Sequence, residues 1–152
     1  MAVKTSWAAG DVLTAADLTD TFAAKLTTPG AWTTYTPTPV NITVGNGTVA
    51  AAYAQLGKVV HFRLYMKLGS TSVISADAGF TGPVAAKSGL TDSQAMVGRA
   101  TYYDASATTW YNGFTKGGYL GYQGLYGYVS GTVPFTWAVN DEIYVHATYE
   151  AN

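Results

Sequence analysis

From Trp32 onward, apolar and polar side chains alternate with a period of two, the pattern of strands that bury one face and wet the other. In "VVHFRLYMKL", Val60, Phe62, Leu64, Met66 and Leu68 share one side, and His61, Arg63, Tyr65 and Lys67 share the opposite one. "DEIYVHATYE" repeats this, with Ile143, Val145, Ala147 and Tyr149 opposing Glu142, Tyr144, His146 and Thr148, and "AMVGRATYYD" alternates as well. Asn46-Gly47 predicts a hairpin between the extended segments around it and Gly57-Lys58 the next reversal, which would set three strands side by side. Before Trp32 the period is helical. Leu18, Phe22 and Leu26 fall at i, i+4 and i+8 on a helix over residues 15–26, with Thr14 as N-cap, a Leu13–Leu18 staple, and Pro29 and Gly30 to end it. So short a helix with so narrow an apolar stripe needs a surface to lie against. Short strands parted by Gly, Ser, Asn and Pro predict a mainly β fold. The expectation is an antiparallel, jelly-roll-like β-sandwich over residues 31–152, preceded by a helical attachment segment over 1–30.

At 152 residues the chain has the size of one ordinary domain plus an appendage. Charged residues are only 11%, against an average of about 25%, so Thr, Ser, Gly, Asn and Tyr must build much of the surface. A net charge of −1 without a basic run gives no footprint for nucleic acid, and the absence of an apolar run of about 18 residues argues against membrane insertion. With no cysteine, disulfides, thiolate-bound zinc and thiol catalysis fall away together. His61 and His146 sit on polar strand faces, and Asp77, Asp92, Asp104, Asp141 and Glu142 lack the spacing of a metal loop. Nucleophile-elbow, phosphate-loop and zinc-protease motifs are missing, so no catalytic residue, metal ligand or cofactor is assigned and a non-enzymatic role is expected. Asp141-Glu142 reads as a turn before a strand rather than as half of a glycosidase carboxylate pair. Asn41 and Asn46 fit the glycosylation pattern, which a Thr-rich chain meets by chance.

In "YNGFTKGGYLGYQGLYGYVSG", glycine recurs every third residue at Gly118, Gly121, Gly124 and Gly127. A collagen helix requires many more triplets with abundant proline. As a strand, the segment mixes the bulk of Tyr119, Tyr122, Tyr126 and Tyr128 with gaps at Gly121 and Gly124 on both faces, which predicts a strand at a subunit interface. The preceding residues 104–118 are expected to form an exposed loop, with Trp110, Tyr111 and Phe114 available to a partner.

"AWTTYTPT", "GNGTVAAAYAQLGKVVHFRLYMKLGSTS" and the closing "TVPFTWAVNDEIYVHATYEAN" resemble a family of tailed-bacteriophage virion proteins, the minor tail proteins, head fibres and decoration proteins built on small β-sandwiches. "SWAAGDVLTAADLTDTFAAK" is similar to the short segment that precedes the sandwich in such proteins. The resemblance implies a structural protein of the virion, assembled in the bacterial cytoplasm. It also implies a homo-oligomer, expected as a trimer, that joins other virion proteins, with Leu18, Phe22 and Leu26 docked on the particle or on sister subunits. A minor tail protein or appendage touching the host surface leads. A capsid decoration or head-fibre protein is the alternative, and a carbohydrate-binding module contacting host glycan through Trp32, Trp110 and the tyrosines comes second to it. The resemblance supplies no catalytic residue.

Overall fold

The computed structural model describes residues 31–87, 96–117, 122–126 and 129–152, and every regular element among them is a strand. The helix expected over residues 15–26, with Leu18, Phe22 and Leu26, lies outside the described residues, as do Tyr119, Gly121 and Tyr128.

The two clearest alternating segments become neighbours. β4 (Val59–Lys67) and β9 (Glu142–Glu150) run antiparallel from Val59↔Glu150 to Lys67↔Glu142, which puts their apolar positions in phase. Val60, Phe62, Leu64 and Met66 therefore face the same way as Tyr149, Ala147, Val145 and Ile143, and all are buried. Each large side chain so buried is worth about 1.5–3 kcal/mol. β3 (Thr48–Leu56) enters β4 through Gly57-Lys58. Gly57 has φ +59 with open space around it, so the backbone conformation, not crowding, requires glycine there.

On the far side of β9 lie β6 (Met96–Asp104), β7 (Thr109–Gly117), β8 (Tyr122–Tyr126), β5 (Val73–Thr81) and β2 (Pro39–Thr43), while β1 (Thr33–Thr34) borders β3. The order is β1-β3-β4-β9-β6-β7-β8-β5-β2, antiparallel at every step. Consecutive strands β1 and β2 thus stand at opposite ends of the row, although the chain from Thr34 to Pro39 can span at most about 18 Å. The sheet must curl back on itself. Its inner face then closes on one core, in which Ile42 of β2 and Ile74, Ala78 and Phe80 of β5 join Phe62, Leu64, Tyr102, Ile143 and Val145.

The hairpin expected at Asn46-Gly47 does not form: β2 pairs with β5, and only β3 and β4 make a hairpin in this part of the chain. The turn falls one residue earlier, with Gly45 at φ +57 and Gly47 N–H donating to Val44 O at 2.9 Å. Asn46 Oδ1 accepts from Thr71 N at 3.0 Å and Thr71 Oγ1 at 2.9 Å, which ties this turn to the loop before β5. A local hairpin is thereby replaced by a corner that carries the chain across the core.

Candidate functional site

The outward side of β4, β9, β6 and β7 is the face that the core does not use. Register lines up its residues in cross-strand rows: Lys67, Glu142, Tyr103 and Trp110, then Tyr65, Tyr144, Thr101 and Asn112, then Arg63, His146, Arg99 and Phe114. On β3 the same rows continue into Thr48, Ala50 and Ala52, of which Thr48 and Ala50 are small and exposed and Ala52 is buried.

The first two rows carry a connected set of rings. Trp110 lies 4.7 Å from Tyr103 and 5.7 Å from Tyr144, and Tyr144 lies 5.0 Å from Tyr65, measured between ring centroids. Trp110 remains 56% exposed within this cluster, so packing against its neighbours leaves an indole face to solvent. Glu142 anchors the rings from below: its Oε1 accepts from Tyr65 Oη at 3.1 Å and its Oε2 from Tyr144 Oη. The bond to Glu142 pushes the Tyr144 phenol up to about 12, and burial, followed by the same carboxylate, raises that of Tyr65.

The third row is basic. Arg63 stacks its guanidinium 4.5 Å from the ring centre of Trp32, which the start of β1 delivers there and which is 49% exposed. Arg99 donates from Nη2 to Asn112 Oδ1. His146 stands between the two arginines, and His61 on the adjoining row has its Nδ1 2.7 Å from Thr148 Oγ1. Both histidines are exposed, and among the described residues no three His, Asp or Glu side chains gather as a metal site would need.

The end of this face is held by two buried carboxylates. Asp141 accepts from Ala105 N at 2.9 Å through Oδ1 and from Ala138 N at 2.6 Å through Oδ2. Asp104 Oδ1 accepts from Ser106 Oγ at 2.7 Å and from the N–H groups of Ser106 and Ala107 at 3.0 Å, bonds that hold its carboxyl below the usual range. Together they fix the β6–β7 tip on which Trp110 depends.

Of the residues expected to meet a partner, Trp110 and Phe114 do project outward, Phe114 being 41% exposed. Tyr111 does not: it points inward and packs 4.9 Å from Phe135 at the margin of the core. The loop expected over 104–118 is a tight tip at 105–108 followed by strand β7, because the Asp104 carboxylate closes the turn and the backbone from Thr109 pairs with β6. Tyr122, Gly124 and Tyr126 lie in a strand, as expected, but β8 is paired to β7 on one side and β5 on the other, so no other subunit can add to it edge-on. The backbone that approaches Gly124 is this chain's own, at Gly79 and Lys116.

An open depression of about 250 Å³ adjoins the first row at Thr48 and Lys67 and lies between the turn at Asn46, Lys67–Ser70 and Asn140, with Lys67 as its charged group. It gathers no nucleophile with a base, so the outward face remains the better candidate. Sequence reading missed the basic row altogether. Arg63, Arg99 and His146 come from distant segments, and only register across β4, β9 and β6 sets them side by side. Comparison of the chain with known protein families, with curated proteins and with solved structures finds no match.

Proposed function

We propose that the chain is a non-enzymatic structural protein on the exterior of a tailed-bacteriophage particle, a tail appendage that touches the host surface. In this reading the curled antiparallel sheet is a jelly-roll-like sandwich, and three copies assemble into the working unit. The observation that carries the proposal is the outward aromatic face. A sheet already closed around its core has no internal need for Trp110 to stand half exposed beside Tyr103 and Tyr144, and a contiguous exposed apolar patch is a place of contact. Two of the four strands of this face, β4 and β9, lie in the segments "GKVVHFRLYMKL" and "DEIYVHATYE" that resemble the virion proteins, while β6 and β7, which carry Tyr103 and Trp110, lie outside them.

The test is position on the particle. Gold-labelled antibody against the purified protein should decorate the tail of intact virions, and the protein in solution should have the mass of a trimer. Gold on the capsid would make it a head decoration, the nearest alternative, and particles that carry no label would refute the virion reading.

A further inference from the structure

We infer that the outward face binds an acidic glycan, with sugar carboxylates held by Arg63 and Arg99 and sugar rings laid on Trp110, Tyr103 and Tyr144. The inference deepens the proposed function and rests on it, since it names the host-surface chemistry that an exterior appendage would touch.

The first support is electrostatic. Arg63 and Arg99 flank His146 in one cross-strand row, and at about 4.8 Å per strand their Cα atoms stand about 10 Å apart. Like charges gathered on one face of a sheet lower its stability, so the arrangement calls for a counter-charge. The acids of these strands are engaged elsewhere. Glu142 accepts from Tyr65 and Tyr144, Glu150 pairs with Lys87 at 3.0 Å, and Asp104 is bound within its own turn. Among the described residues the arginines' contacts are the Trp32 ring and the Asn112 carbonyl, which steady the guanidiniums without neutralising them. Lys67 stands opposite Glu142 at the far end of the face, so the unbalanced positive charge is that of Arg63 and Arg99, with His61 on the row beyond Arg63.

The second support is shape. A guanidinium fork matches a carboxylate in two parallel hydrogen bonds, and both arginines are exposed on strands that hold their bases rigid. Tyr144 precedes His146 by one pleat repeat, about 7 Å, and Tyr103 and Trp110 lie one repeat further, about 14 Å from the basic row, so a glycan of a few sugar units would cover both. Ala50, opposite Tyr65 on β3, is exposed and leaves the border low beside the rings. A nucleic acid needs a longer track of cations to follow its phosphates, and the chain carries a net charge of −1. Carboxylate spaced along a ring-bearing polymer is the chemistry that both rows fit.

Binding of the full-length protein should be measured against polygalacturonate, with dextran as a neutral glycan, polyglutamate as a carboxylate polymer without rings, and polyglycerol phosphate as a phosphate polymer. Polygalacturonate should bind most tightly, and its affinity should fall as salt rises. Arg63→Gln with Arg99→Gln should weaken it about tenfold or more, and Trp110→Ala several-fold, with thermal midpoints close to the parent because all of these side chains are exposed. Equal binding of dextran would overturn the role of charge, and equal binding of polyglutamate the role of the rings. Tighter binding of the phosphate polymer, no binding of polygalacturonate, or unchanged affinity in well-folded arginine variants would each overturn the inference. Virions whose tails carry the gold label while the protein ignores polygalacturonate would refute this inference and leave the particle assignment standing.

Discussion

Tyr102 is the largest fully buried side chain of the core, and its hydroxyl has no hydrogen-bond partner among the described residues. The ring is needed: it stands edge-on to Trp137 at 5.7 Å and fills the space beside Ile143, its partner in register. Room for the hydroxyl end comes from Gly113 on β7, where an added Cβ would lie 2.8 Å from Tyr102 Cε2 and Oη. A buried donor left unpaired costs about 1–3 kcal/mol. Tyr102→Phe should therefore raise unfolding stability by about 1 kcal/mol, and Gly113→Ala should lower it by driving a methyl group into the ring, both read from urea midpoints. The pairing also shows why the sequence suggests a loop where β7 forms. Its inward positions are Tyr111, Gly113 and Thr115, and this small-residue gap under Tyr102 interrupts the apolar period by which a strand is recognised.

Elements follow the same division between what is local and what is distant. β4 and β9 are plain in the sequence because each buries one complete side, and the β3–β4 reversal is plain because Gly57 supplies its positive φ within the turn itself. The partner of β2 is not legible. It depends on Asn46 binding Thr71 and on a register break at Asn41, which takes φ +53 and donates to Asp77 O, contacts made across the fold. Asp141 likewise read as a turn residue, and it is one, but its carboxylate also ties the tip of the β6–β7 hairpin to residue 138. In Asp141→Asn one carboxylate oxygen becomes an N–H₂ that faces a backbone donor. The substitution should cost about 2 kcal/mol in urea unfolding and reduce glycan binding by loosening the tip that presents Trp110.

For the molecule as a whole, the buried and bonded tyrosines link stability to alkaline pH. Burial pushes the Tyr102 phenol up to about 12, Glu142 does the same for Tyr144, and burial raises Tyr149. These groups keep their protons in the folded state while the unfolded chain loses them near pH 10, so the contribution is fully present below pH 10 and is lost as pH rises toward 12. Urea midpoints should hold steady from pH 7 to 9 and fall by pH 11, Tyr102 alone accounting for about 1 kcal/mol, and Tyr102→Phe should flatten that part of the slope. The sheet is also unequally fastened. β1 is held to β3 at Thr33↔Tyr53 and Thr34↔Ala52, with one more bond from Tyr35 N–H to Ala51 O, whereas β9 is laced along its whole length to β4 and along most of it to β6. Tension arriving through residue 31 would unzip β1 rung by rung, while the same pull through residue 152 would load the rungs of β9 together in shear. Because Trp32 leads into β1 and backs Arg63, traction from that side would strip the indole from the basic row before the sheet itself yields, and grip at the outer face would slacken under load.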